Sequence, residues 1–218
     1  MKLRWVSSFA AVVGVFSISV LMIVKGCLAD NFPKSGRVVK VIDGDTIELE
    51  GNVTVRYLGI DAPEIAHDDK PADCFGNEAR QRNAALVLGK IVKLQYEEEQ
   101  KTDRYGRVLA YVFLDDGTMV NELLVKEGYA FVLRDEKGFS YVTRFINAQR
   151  NAIKNRVGMW GACKYDREPY YIGNRRSFVF HRPGCSSGDS IAPSNRVRFE
   201  NREEAFMEGF HPCRRCKP

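Results

Sequence analysis

The sequence has no internal repeat, no low-complexity tract and no large excess of either charge. Its 218 residues carry 33 lysines and arginines against 28 acidic residues. Residues 1–29 hold three of the basic residues and no acids, so 30 basic and 28 acidic residues remain and leave a net charge of +2. This near balance excludes bulk charge as an argument for nucleic-acid binding, which must instead rest on local motifs. The length suffices for one substantial core plus a small appendage.

Charge is missing altogether from residues 5–24, which follow two basic residues. A basic start before an apolar segment is typical of an export signal, and this segment also just reaches the length that spans a bilayer. Residues 1–29 are therefore predicted to be an export signal or a membrane anchor, and the protein is predicted to be extracytoplasmic: secreted, periplasmic or anchored to the membrane. Cleavage after Ala29 and lipidation of Cys27 are alternative fates, although Lys25 departs from the lipoprotein pattern.

The next part of the chain, residues 30–163, alternates short strand patterns with helical ones. "RVVKVIDGDTIELE", "VTVRYL", "IVKLQYE" and "RVLAYVFL" predict strands, with a tight hairpin at residues 51–52. Helices are predicted over "GNEARQRNAALVLGK", with a Glu78 and Arg82 ion pair, over "TMVNELLVKEGYA" and over residues 141–157. This order predicts an α+β fold: a five-stranded OB-fold β-barrel with about three helices.

Three separated stretches concentrate carboxylates and arginines: "IDGDT", "VRYLGIDAPE" and "TDRYGR". In the second, a strand ends at a proline turn, and side chains converge readily at such a point. Arginines beside carboxylates indicate phosphate and metal. Taken singly, each residue is equally explained by a surface ion pair or a turn.

In this order, and over roughly residues 37–160, the three stretches resemble the thermonuclease family, typified by staphylococcal nuclease; "LAYV", "MVNELLV" and "GMW" extend the resemblance. It implies a calcium-dependent endonuclease that hydrolyses DNA or RNA with low sequence specificity and leaves 3′-phosphate ends. Carried over by motif, it implies calcium ligands Asp45, Asp61 and the backbone carbonyl of Ala62, catalytic residues Arg56, Glu64 and Arg107, and substrate-binding residues Arg104 and Tyr105.

The chemistry agrees with these residue types. Hard carboxylate and carbonyl oxygens suit calcium, a carboxylate can position or deprotonate water, and guanidinium groups bind phosphate oxygens as charge builds in the transition state. Asp43 is expected to serve the turn rather than to bind the ion directly. One departure concerns Arg134, which stands where family members tend to carry an aromatic residue that helps hold the nucleotide.

Cysteine is scarce, with six residues in the chain. One belongs to the export segment and three to the tail, which leaves Cys74 and Cys163 in the core. Disulfides persist in exported proteins, so this pair is predicted to form one, with two free thiols as the alternative.

Residues 164–169 are predicted to be a linker, and residues 170–218 have few aliphatic residues to build a core. Such a small unit needs a disulfide or a structural metal to stabilise it. The ligand spacing His181-x3-Cys185, twenty-seven residues, then Cys213-x2-Cys216 predicts structural zinc. His211 as the fourth ligand and a disulfide among the tail cysteines are the alternatives.

"FHRPGC" and "ENREEAFMEGFHPCRRC" resemble the zinc-binding domain of the DNA repair protein Ada. That family's reactive site uses a cysteine where this chain has His181, so a closed structural site is expected rather than methyl transfer. The tail's 11 basic residues against 7 acids form either a sequence-independent phosphate contact or a solvated basic surface.

The expected partners are therefore DNA, RNA or both, with membrane attachment only through the N-terminal segment and no protein partner. Two alternatives differ in class. A non-catalytic OB-fold would bind nucleic acid without cutting it. A DNA-repair or scaffold protein directed by the tail conflicts with the predicted export.

Overall fold

The computed structural model describes residues 32–67 and 70–218. The predicted export segment, residues 1–29, lies outside the described residues. Within the described ranges, no helix is long and apolar enough to cross a membrane.

Five strands close into a barrel, and two short strands pair beside it. The strands are β1 (Ser35–Val41), β2 (Thr46–Leu49), β3 (Val53–Tyr57), β4 (Ile60–Asp61), β5 (Ile91–Gln95), β6 (Val108–Phe113) and β7 (Phe131–Val132). The barrel order is β1-β2-β3-β6-β5, with β3 parallel to β6, and β4 pairs antiparallel with β7. The predicted five-stranded barrel is confirmed.

The alternation in β2 explains the first hairpin. Ile47 and Leu49 point into the core with 0% and 1% exposure. Gly51 and Asn52 follow with φ of 86° and 62°, the positive values that a tight hairpin turn matched to strand twist requires. The hairpin places the start of β2 beside the end of β3, where Thr46 pairs with Arg56.

The three predicted helices are present, and three short ones accompany them in the described ranges. The helices are α1 (Gly76–Val87), α2 (Val120–Lys126), α3 (Val142–Lys154), α4 (Met159–Ala162), α5 (Ser186–Asp189) and α6 (Arg202–Met207). The third predicted helix thus ends before residue 157. Arg82 of α1 binds Glu127 through two hydrogen bonds of 2.6 and 2.9 Å, so its partner comes from the end of α2 rather than from the predicted Glu78.

The tail forms a second sheet. Its strands are β8 (Tyr171–Asn174), β9 (Val179–His181), β10 (Arg196–Phe199) and β11 (His211–Pro212). They follow the order β10-β8-β9-β11, with β11 parallel to β9. Residues 164–169, the predicted linker, contain no helix or strand.

Aromatic residues supply the core that the tail lacks in aliphatic ones. Phe180 and Phe206 are 0% and 1% exposed, and their cluster includes Ile153 of α3. The Phe206 ring also meets Trp160 at 4.8 Å and Phe131 at 5.4 Å between centroids. The tail therefore shares its core with the helices and the short strand pair beside the barrel.

A disulfide joins Cys74, before α1, to Cys163, after α4, with Cα atoms 5.9 Å apart. The two residues are 89 positions apart in the chain. A bridge that closes a long loop restricts the unfolded chain strongly.

We expect Cys163→Ser to lower the free energy of unfolding by about 2–5 kcal/mol, because the unfolded chain regains the freedom that the bridge removes. Urea denaturation of the zinc-loaded protein measures this change. Cys74→Ser should have the same effect, and the double variant should lose no more than either single one. Losses that add in the double variant would show that the bridge is not the cause.

Candidate active site and metal centre

A buried arginine connects two buried carboxylates at one end of the barrel. Arg56, near the end of β3, contacts Asp45 Oδ1 through Nη1 and Asp61 Oδ1 through Nη2. The three residues are 8%, 2% and 8% exposed. A guanidinium this deep is stable only because its donor fork meets matching carboxylates. The hairpin and the turn into β4 thus bring three predicted site residues together.

Asp45 is oriented by the two loops that meet around it. Its Oδ2 accepts a hydrogen bond of 2.7 Å from the backbone of Ala62, and its Oδ1 accepts one of 2.9 Å from the Thr46 hydroxyl. Asp43 accepts from the Asp45 amide at 3.0 Å and so serves the turn. A Cβ on Gly44 would lie 2.5 Å from that of Ala62, so the close approach of the loops requires glycine there.

Glu64 follows the proline turn and remains accessible to solvent. Its backbone carbonyl accepts a hydrogen bond of 2.9 Å from the Asp73 amide, which fixes the loop. The pKa of Glu64 is raised, first by partial burial and then by the negative charges of Asp61 and Asp43, while Arg56 and Arg214 act in the opposite direction. A carboxylate with a raised pKa is a better proton acceptor than an ordinary one.

Arg107 lies in the loop before β6, held by its neighbours. Asp103 accepts hydrogen bonds of 2.7 Å from the Arg107 side chain and 2.9 Å from the Tyr105 amide. The guanidinium groups of Arg104 and Arg107 lie 4.8 and 5.6 Å from the centre of the Tyr105 ring, which is 67% exposed. Burial raises the pKa of Asp43 while Arg56 and Arg107 oppose this, so the positive charge of Arg107 also acts on the cluster.

The oxygen donors at this end of the barrel suit a hard divalent cation. Two buried carboxylates already converge on one positive group, which marks a place where the protein requires cationic charge. Carboxylate and backbone carbonyl oxygens are the ligands that calcium prefers. The predicted set of Asp45, Asp61 and the carbonyl of Ala62 therefore fits this ion in its chemistry.

The tail brings its four predicted zinc ligands together. The ligand atoms of His181, Cys185, Cys213 and Cys216 all lie within 4.8 Å of one another. The backbone of Arg182 also donates to the Cys216 sulfur at 3.4 Å, as outer groups at zinc sites commonly do. The three cysteines are free thiols, so the alternative of a tail disulfide is not what the structure shows, and His211 lies outside the group.

The structure adds a residue that sequence reasoning did not place at the barrel. Arg214, between two zinc ligands, lies 3.2 and 3.4 Å from the two carboxylate oxygens of Asp61. Lys217 similarly lies 2.9 Å from Asp73 Oδ1. The motif "CRRC" indicated zinc and basic charge, but no local signal relates position 214 to a residue 153 positions earlier.

The barrel and its cluster of carboxylates and arginine define a nuclease-type OB-fold, to which a zinc-binding module is joined. The model of the family described as "Staphylococcal nuclease homologue" matches residues 54–162, and that of the "Metal binding domain of Ada" matches residues 164–218. The chain belongs to the family of staphylococcal nuclease homologues. Both predicted resemblances are confirmed.

Individual relatives agree with this assignment. The chain is 36% identical over 127 residues to a thermonuclease of Staphylococcus hyicus, a match that covers 57% of this chain and 74% of the relative. It is 37% identical over 130 residues to the SPbeta prophage-derived endonuclease YokF of Bacillus subtilis, covering 58% of this chain and 44% of the relative. Endonuclease YncB of the same organism is 35% identical over 130 residues, with 58% and 61% covered. The matches thus span less than two thirds of either Bacillus relative.

We expect the purified protein to hold one zinc ion per chain at the four-residue site, measured by elemental analysis. His181→Ala should lose the ion because only three ligands remain, whereas His181→Cys should keep it, since four cysteines also bind zinc tetrahedrally. His211→Ala is the matched control and should retain the metal. Loss of zinc from His211→Ala but not from His181→Ala would contradict the assigned ligand set.

Proposed function

We propose that the protein is an exported, calcium-dependent endonuclease that hydrolyses phosphodiester bonds of DNA, RNA or both with low sequence specificity and leaves 3′-phosphate ends. The main support is the cluster of Asp45, Arg56 and Asp61 at the end of the barrel, with Glu64 on the adjoining turn. Its setting in a chain of the nuclease family makes hydrolysis, rather than binding alone, the function that best accounts for these groups.

The proposed chemistry divides between a base and two arginines. Glu64 accepts the proton of the attacking water at its carboxylate, a role that its raised pKa favours. Arg107 presents its planar donor fork to the phosphate oxygens, where negative charge increases in the transition state. The fork of Arg56 is held by Asp45 and Asp61, and it would bind the same oxygens once these carboxylates bound a cation. Calcium, when bound by Asp45, Asp61 and the carbonyl of Ala62, would add positive charge at the same phosphate.

Tyr105 provides the surface for the neighbouring nucleotide. The ring is largely exposed and is held between its loop and two arginines, an arrangement that suits stacking on a base or contact with a phosphate. Arg134, at the position where relatives were expected to carry an aromatic residue, instead stacks on Phe178 of the tail at 3.6 Å. That position therefore serves the packing of barrel and tail, and nucleotide binding depends more heavily on Tyr105.

Export is supported by two separate features. The charge-free stretch at residues 5–24 is typical of an export segment, and the Cys74–Cys163 disulfide is typical of an oxidising compartment. The alternative of a non-catalytic binding module would not require a carboxylate such as Glu64 beside the cluster. A role in methyl repair would require a reactive cysteine where this chain has His181.

We expect Glu64→Gln to lower kcat on DNA by about 10²–10⁴-fold, because it removes the proton acceptor while keeping the size of the side chain. Glu78→Gln, on the exposed face of α1, is the matched control and should leave kcat unchanged. Calcium chelation should abolish cleavage by protein whose zinc content is verified, and added calcium should restore it. Full activity of Glu64→Gln would rule out the proposed base.

The acid limb of the pH profile should report on Glu64. Activity requires its ionised form, so kcat/KM should rise with pH through a pKa above the ordinary value of 4.5. Asp43→Asn keeps the acceptor oxygen of the turn but removes one of the charges that raise this pKa, so the limb should move to lower pH. Asp115→Asn, an exposed residue paired with Lys93, should not move it. A shift to higher pH in Asp43→Asn would contradict this account.

A further inference from the structure

The zinc module places a further arginine at the nuclease centre. Arg214 shares the Asp61 carboxylate with Arg56, although it comes from the far end of the chain. It lies between the ligands Cys213 and Cys216, so its backbone position depends on the metal site. Arg214 therefore belongs to the zinc module but lies against a carboxylate of the barrel's candidate active site.

Contacts within the tail, together with an ion pair to the barrel, fix this part of the tail. β11 pairs with β9, and the amide of Cys213 donates to Phe180 at 2.9 Å. The Lys217 ammonium donates a hydrogen bond of 2.9 Å to Asp73 Oδ1. The other oxygen of Asp73 accepts a hydrogen bond of 3.4 Å from the backbone amide of Glu64. The zinc-site segment thus contacts the loop that carries Glu64, and backbone hydrogen bonds within the tail fix the main chain on either side of Arg214.

The side chain of Arg214 is nevertheless open to solvent. It is 67% exposed, whereas that of Arg56 is 9% exposed, and both contact an Asp61 side chain that is 12% exposed. Arg56 balances only one of the two negative charges of Asp45 and Asp61, so the cluster keeps one negative charge next to Arg214. Because the guanidinium of Arg214 is largely hydrated, little desolvation opposes its transfer from Asp61 to another anion. A cation bound by Asp61 would repel Arg214 from that carboxylate and favour such an exchange.

The side chain of Arg215, the next residue, points away from Asp61 and toward the tail. Its Nη1 donates to the Ser186 hydroxyl at 3.0 Å within the tail. Two adjacent arginines of the same segment therefore differ in their access to the nuclease centre while carrying equal charge. Substituting each of the two arginines in turn therefore distinguishes a local contact with substrate from a general attraction of the basic tail to nucleic acid.

We propose that Arg214 is a phosphate-binding residue of the nuclease centre, which the zinc module delivers to the phosphodiester substrate beside Asp61. The inference rests on the proposed nuclease function. It assigns the module a part in substrate binding through one side chain, in place of a diffuse basic surface. An arginine suits this role because its planar fork binds two phosphate oxygens at once.

Binding is measured in the Glu64→Gln background, which should hold nucleic acid without cutting it. The probe is a short fluorescent single-stranded DNA in the presence of calcium, and anisotropy gives its Kd. Arg214→Ala should raise the Kd by about tenfold, as expected for loss of a charged hydrogen bond to phosphate. Arg215→Ala should change it by less than about twofold, because an exposed charge outside the site contributes little. Arg214→Lys should restore binding in part.

Three further measurements complete the test. Each variant must hold one zinc per chain, and calorimetry should show that Arg214→Ala binds calcium at least as tightly as the parent. With Glu64 present, Arg214→Ala should lower kcat/KM by about the factor found for binding. Equal Kd values for Arg214→Ala and Arg215→Ala would overturn the proposal. Faster cleavage and tighter calcium binding by Arg214→Ala, at an unchanged Kd for DNA, would also overturn it and show that Arg214 blocks the site.

Failure of the nuclease function itself has a different signature. In that case the unsubstituted protein would not cut DNA in calcium, whatever residue stands at position 214. The anisotropy comparison between the two arginine variants would still decide whether Arg214 contacts nucleic acid.

Discussion

The buried charge of Arg56 is the constraint around which the active end of the barrel is arranged. An unpaired ion in such a place costs several kcal/mol, and the cost is offset only when good hydrogen-bond geometry surrounds it. The pairing groups come from two other segments, Asp45 immediately before β2 and Asp61 in β4. Thr46 and the amide of Ala62 then hold Asp45 in place. The same contacts therefore close this end of the barrel and present its oxygens and donors to a ligand.

Local periodicity predicted much of the fold, because β5 alternates between buried and exposed residues and α1 and α3 each bury one face. Ile47, Leu49 and Phe145 lie in the core, as their alternating or helical spacing indicated. Contacts between distant segments left no such periodic signal. Arg82 pairs with Glu127 rather than with its helical neighbour, since the packing of α1 against α2 offers a carboxylate with two-point geometry. Within the site, the family motifs predicted the residues that the barrel contributes. The position of Arg214 beside Asp61 depends on tertiary packing and has no local sequence signal.

The composition of the tail predicted its metal site but not the core that it shares with the helices beside the barrel. Its shortage of aliphatic residues indicated a need for metal, and the four ligands do converge. Its aromatic rings also pack on Ile153 and Trp160, so part of the stabilising surface belongs to the barrel's helices. Arg134 takes part in the same packing, because its guanidinium lies over the ring of Phe178. The residue that was expected to depart from the family pattern thus packs on the module attached to this chain.

The basic tail and the slightly acidic barrel part of the chain have complementary charges, so some of the tail's basic residues pair with the barrel part. Residues 164–218 hold 11 basic and 7 acidic residues, whereas residues 30–163 hold 19 and 21. Part of the positive charge faces carboxylates of the barrel, with Arg176 at 2.7 Å from Glu136 and Lys217 at 2.9 Å from Asp73. Charges paired in this way are less available to a distant phosphate backbone, and salt screens those that remain exposed. In the proposed nuclease, attraction of the substrate therefore depends on the direction of the cations next to the cluster as well as on the number of exposed ones.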